Sequence, residues 1–107
     1  MKNEEVNHFW DVLQKPRTMD ILLAVAEGEK KYTQIYNYLV VVDRLITMTT
    51  LKHRLDELKE VGLLNTKVYD AQRNYVKYAV TPLGLFVAER LKSFYKNVED
   101  RIKAKNL

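Results

Sequence analysis

"ITMTTLKHRLDELKEVGLLNTKVYDAQRNYVKYAVTPLG", residues 46–84, contains a change of hydrophobic period that decides the fold. Before Gly62, Met48, Leu51, Leu55 and Leu58 recur at helical spacing and predict a buried stripe. Thr47 is placed to cap that helix, and Gly62 to stop it. After Gly62 the period falls to two. Leu64, Thr66 and Val68 alternate with Asn65, Lys67 and Tyr69, and residues 75–80 alternate again after the turn formers of 70–74. This predicts a β-hairpin of strands 63–69 and 75–81, rich in the β-branched and aromatic residues that suit strands. Thr81-Pro82 then predicts a cap followed by proline at the first helical position, where its missing N–H costs nothing.

Working outward, Val6, Phe9, Trp10 and Leu13 fall on one stripe of a helix over 4–14, which Pro16 ends. Thr18 is the expected cap of a helix over 19–27 that turns Ile21, Leu22 and Val25 inward, with Gly28 in the left-handed closing position. A third helix is expected to open at Thr33 and to pack through Ile35, Tyr36 and Leu39. The β-branched run at 40–42 fits either its last turn or a short extended piece. At the other end, Val87, Leu91, Phe94, Val98 and Ile102 define a long last helix, 82–105. The fold class is mainly α with a small β-hairpin (α+β). One domain spans 1–107, with a helix-turn-helix and hairpin at 17–81 between terminal helices, and with no repeat or linker.

Two helices joined by a turn and followed at once by a hairpin make a winged helix-turn-helix. "ITMTTLKHRLDELKEVGLL" (46–64) resembles the recognition helix and first wing strand of the MarR/HxlR/PadR-type transcriptional regulators of bacteria and archaea. "YVKYAVTPLG" (75–84) resembles their second wing strand and the start of their last helix. "DILLAVAEGEKKYTQI" (20–35) is more weakly similar, so the resemblance covers roughly 17–91. The segment between residues 39 and 47 is longer than the tight turn of compact members, which leaves the angle between its helices open. The resemblance implies homodimers that read two DNA half-sites.

The residues support a DNA partner independently. At about 100° per residue, Thr49, Thr50 and His53 lie opposite the apolar stripe, with Lys52 and Arg54 on its flanks. Short hydroxyls admit the backbone to a major groove, and longer cations reach bases or phosphates. Arg73 at the hairpin tip suits a narrow minor groove, with Lys77 behind it. Lys30, Lys31, Thr33 and Gln34 surround a helix start that suits a phosphate, and Arg44 could reach the DNA backbone. Thr47, at the head of the reading helix, completes the candidate set. Net charge is +4, and residues 62–81 and 82–107 carry +2 and +3 of it against −2 in residues 1–14. A solvated helix face explains that distribution equally well.

The last helix, about 22 residues or roughly 33 Å, is longer than three short helices and a wing can cover. Its stripe of Val87, Leu91, Phe94, Val98 and Ile102, with Val6, Phe9, Trp10 and Leu13 of the first helix, is the expected dimerisation surface.

Other chemistries find no support. There is no cysteine, and His8 and His53 sit in no zinc spacing. The three glycines form no phosphate loop, and Asp56, Glu57 and Glu60 read as surface charge. Neither an enzyme nor a cofactor is expected. The four-residue apolar run at 39–42 is far below the ~20 needed to span a membrane, and the N-terminus lacks a signal-peptide pattern. A cytoplasmic, homodimeric, sequence-specific regulator binding double-stranded DNA is therefore expected. A non-specific architectural protein and a winged helix used for protein interaction are the alternatives. No effector ligand is legible.

Overall fold

A computed structural model describes residues 3–106. Its elements are α1 (Glu4–Leu13), α2 (Thr18–Ala26), α3 (Tyr32–Val42), α4 (Met48–Glu60), β1 (Leu64–Asp70), β2 (Tyr75–Val80) and α5 (Pro82–Lys105). At three helix starts the oxygen comes from the side chain of the capping residue itself. Asn3 Oδ1 accepts from the N–H groups of Glu5 and Val6, Thr47 Oγ1 from Thr50, and Thr81 Oγ1 from Gly84. The core joins Ile21, Leu22 and Val25 of α2 to Ile35 and Leu39 of α3 and to Leu51, Leu55 and Leu58 of α4. Leu63 and Leu64 close it at the base of the wing.

β1 and β2 pair antiparallel, with Thr66 opposite Tyr78, Lys67 opposite Lys77, and a bulge between Val68 and Asp70. Lys30 exchanges backbone hydrogen bonds with Tyr78 at 3.0 and 2.8 Å, so the segment before α3 lies along the free edge of β2. Gly62 (φ 81°) and Asn74 (φ 53°) supply the left-handed residues that end α4 and close the hairpin turn.

Several local expectations are corrected. Thr18 is buried inside α2 rather than capping it, and Arg17 holds the cap position at φ 69°. The turn after Pro16 brings Thr18 into the core and leaves Arg17 to bridge outward to Asp20 and Asp43. Gly28 is not left-handed; Gly62 is the only glycine with positive φ. α3 begins at Tyr32, one residue before Thr33, and Gln34 caps it by accepting from the Lys31 N–H at 2.8 Å. The β-branched run at 40–42 is helical to Val42. The connection to α4 is shaped by Asp43, whose carboxylate accepts from the Leu45 N–H at 3.0 Å and from Arg17 Nε at 3.2 Å. Those two donors, the amide first, hold its pKa below the usual carboxylate range. Met48 is 51% exposed, and buried Ile46 lies in the core just ahead of it. Leu13, expected in a dimer seam, is 2% exposed in the protein's own core.

Candidate nucleic-acid interface

The helix-turn-helix is α3–α4, and the wing is β1–β2. Between the start of α3, the outer side of α4 and the wing tip lies an open cavity of about 570 Å³. Lys31, Thr33, Lys52 and Arg73 line it with Tyr32 and Tyr75, and no Asp or Glu is among its lining residues. Side chains from three separate stretches of sequence, 31–33, 52 and 73, thus face one space. The Tyr32 hydroxyl donates to the Met48 carbonyl at 2.7 Å and ties the start of α3 to the start of α4. Burial pushes that phenol's pKa up.

Around this space the expected residues divide. Thr49 and His53 are exposed one turn apart on the outer side of α4. Thr47 and Thr50 are joined by two hydrogen bonds, Thr50 N–H to Thr47 Oγ1 at 3.1 Å and hydroxyl to hydroxyl at 3.0 Å, so both serve the cap. Lys52 pairs with Asp56 at 3.1 Å but keeps its place on the cavity wall. Arg54 is tied down. Its guanidinium donates to Glu57 at 2.7 Å and to the Pro16 carbonyl at 3.3 Å, which anchors α4 to the α1–α2 connection. Partial burial raises the pKa of Glu57, but hydrogen bonds from Lys15 and Arg54 outweigh it and leave a net lowering. Gln34 serves the α3 cap, and Arg44 is exposed on the α3–α4 connection.

The wing is held from behind by a residue that periodicity could not single out. Glu29 accepts from Lys67 Nζ at 2.6 Å and from the Tyr69 hydroxyl. These two bonds, Lys67 first, lower its pKa, and the Tyr69 phenol is raised in turn. The Tyr69 and Tyr75 rings meet edge to face at 5.5 Å. Lys77 lies over both rings, at 5.6 and 5.8 Å, and Lys31 lies over Tyr75 at 4.1 Å. Glu29 thereby offsets the like-charge pair Lys67–Lys77, directly opposed across the hairpin. Arg73 at the tip is 86% exposed, 3.6 Å from Asp70. The only sequence signal for Glu29 is an acid next to Lys30-Lys31, and Glu27 shares it.

On the far side, a second groove of about 620 Å³ runs between α1 and α5. Phe9, Trp10, Met19, Phe86, Leu91 and Phe94 form most of its wall. Trp10 and Phe94 are exposed in this groove, Val6 of α1 and Val98 and Ile102 of α5 are exposed outside its lining, and Phe9, Val87 and Leu91 also pack against the core. Leu83 and Phe86 are exposed apolar residues that the sequence reading missed. Among the described residues, no group of three or more His, Cys, Asp or Glu could hold a metal ion, and no helix is long and apolar enough to cross a membrane.

Solved structures that share this architecture include transcriptional regulators. The putative MarR-family regulator from Enterococcus faecalis V583 superposes with a TM-score of 0.80 at 20% identity, covering 98% of this chain and 94% of that one. A possible HxlR-family factor from Thermoplasma volcanium gives 0.68 at 25% identity, covering 86% and 81%. The reduced form of the Bacillus subtilis regulator YodB gives 0.70 at 19% identity, covering 90% of each chain. Among curated proteins, no sequence matches significantly. The family model for the HxlR-like helix-turn-helix matches residues 12–106, nearly the whole chain. The chain therefore belongs to the HxlR-like helix-turn-helix family and is a winged-helix transcriptional regulator of the HxlR/MarR type.

Proposed function

We propose that the protein is a cytoplasmic homodimer that reads double-stranded DNA by sequence. In this reading α4 enters the major groove with Thr49 and His53 towards the base edges. The wing carries Arg73 to the adjacent minor groove or backbone. The observation that carries the reading is the convergence of Lys31, Thr33, Lys52 and Arg73 on one cavity whose lining lacks carboxylates. A phosphate seated there meets three cations and the unpaired N–H groups at the start of α3. Lys30 and Lys77 add positive charge beside that path. Arg54, bound to Glu57 and Pro16, acts as a strut for α4 in this reading.

The dimer follows from the other face. Every residue from Lys92 to Asn106 is exposed, so the last turns of α5 have no core within one chain. A second copy placing its α1 and α5 on this groove covers both stripes and spaces two recognition helices for two half-sites.

The test is selection of duplexes from a random pool, followed by salt-titrated binding to selected and random DNA. A large preference for the selected site is expected, and Thr49→Ala/His53→Ala should erase most of it. Lys31→Ala should weaken all sites alike and reduce the salt slope by about one. Equal binding to selected and random DNA at every salt concentration points instead to architectural coating. No binding to any duplex leaves a protein-interaction module.

A further inference from the structure

The outer surface of the α3–α4 turn is unexpectedly apolar. Val41 is 83% exposed, Leu45 89% and Met48 half-exposed, and none of the three lines the groove between α1 and α5. Met48 is the first residue of α4, with its backbone carbonyl held by the Tyr32 hydroxyl and its helix start capped by Thr47. Its side chain therefore emerges from a fixed point beside Thr49, on the edge of the face assigned to DNA.

The polar equipment of α4 makes this placement informative. Adenine is usually recognised by paired hydrogen bonds from Asn or Gln, and guanine by Arg or Lys. α4 contains no Asn or Gln, its Arg54 is bound to Glu57 and Pro16, and its Lys52 is paired with Asp56. Apart from Lys52, which faces the phosphate cavity, the first two turns present outward a thioether, a threonine methyl and hydroxyl, and an imidazole. The one apolar feature on the floor of a major groove is the 5-methyl group of thymine. Methionine is suited to covering it, because its unbranched, polarisable chain adapts to an irregular contact.

We propose that the N-terminal turn of α4 selects thymine through the 5-methyl group, with Met48 as the direct contact and Leu45 shielding it from water. The inference rests on the DNA-reading function proposed above and names the base class that function selects. It makes each half-site dependent on at least one thymine opposite the start of α4.

The probe is the tightest duplex selected from a random pool, with each thymine replaced singly by deoxyuridine, which removes only the methyl group. At one thymine or more per half-site, deoxyuridine should weaken binding by the native protein about fourfold, the worth of one buried methyl. Met48→Ala should bind the thymine duplex more weakly and show no further loss on the uracil duplex, whereas Met48→Leu should keep the loss. Leu45→Ala should shrink it. Unchanged melting temperatures, expected because both side chains are exposed, separate this from misfolding. A native protein indifferent to every deoxyuridine, or a Met48→Ala protein with the full native penalty, overturns the inference while leaving specific binding intact. The apolar turn would then be a surface for a protein partner. If no duplex is enriched at all, sequence-specific reading fails, and thymine selection fails with it.

Discussion

Gly84 occupies the first turn of α5 where the helix crosses Leu63, the residue just before β1. A Cβ at this position would collide with the Leu63 carbonyl oxygen and stand 3.3 Å from Val80 Cβ. The same carbonyl accepts from the Thr81 N–H at 3.1 Å, and Thr81 Oγ1 donates to the Gly62 carbonyl at 2.5 Å, so the backbone has little room to yield. Gly84→Ala should lower unfolding stability by roughly 1–3 kcal/mol through overpacking, measured by urea titration. A neutral effect would mean that α5 can slide away from the base of the wing. Arg73 is a residue whose role needs no packing at all. On the proposed reading, Arg73→Ala should cost on the order of 1–2 kcal/mol of DNA affinity, chiefly on duplexes with A·T-rich flanks, without changing stability. Arg73→Lys should recover only part, because an ammonium is more strongly hydrated. Equal losses on A·T-rich and G·C-rich flanks would place the side chain on the backbone instead.

At the scale of elements, the wing is the part whose position must be imposed. A two-stranded hairpin is marginal alone, and here it is steadied by the Lys30–Tyr78 backbone pair and by Glu29 beneath Lys67 and Tyr69. Glu29 is a carboxyl with lowered pKa, Lys67 being the main cause and Tyr69 the second. Its contribution is therefore fully present above the ordinary carboxylate pKa and is lost as pH falls through the lower folded value. Hydrogen exchange of β1 and β2 amides, corrected for intrinsic rates, should show the wing loosening across that acidic window. Glu29→Gln should be looser at neutral pH and insensitive to the window. A native wing whose protection does not change before global acid unfolding would show that the backbone pairing suffices without the ion pair.

The whole molecule measures 56 × 37 × 25 Å with a radius of gyration of 15.4 Å. A compact chain of this length has about 13 Å, and the excess comes with an α5 of 24 residues that outruns the core. An isolated stretch of about four turns is barely stable in water, so the end of α5 needs a surface to lie on. Phe94 and Val98, exposed and clear of the core, are the positions where charge should act only on a partner. Phe94→Glu/Val98→Glu is expected to sediment as a monomer at micromolar concentrations, whereas the native protein sediments as a dimer. Leu91 is a poorer choice, because it also packs inside its own chain. A native monomer under those conditions would refute the pairing.

Local order was enough for the sequence to determine the winged helix. The switch of period at Gly62, the threonines before Met48 and Pro82, and the left-handed glycine closing α4 all act within a few residues of themselves. Burial of alternating or helically spaced side chains leaves one topology for them. The same local logic overreached at Thr18, Gly28 and Met48. In each, a residue suited to a cap, a turn or a stripe was placed elsewhere by packing that no neighbouring residue reveals. The candidate interface depended on tertiary structure still more. Lys31, Thr33, Lys52 and Arg73 share a cavity, Arg54 is withdrawn to Pro16, and Glu29 holds the wing from 38 residues away. Charge and hydrogen bonding act through space, and only the fold decides which distant side chains are brought within reach of one another.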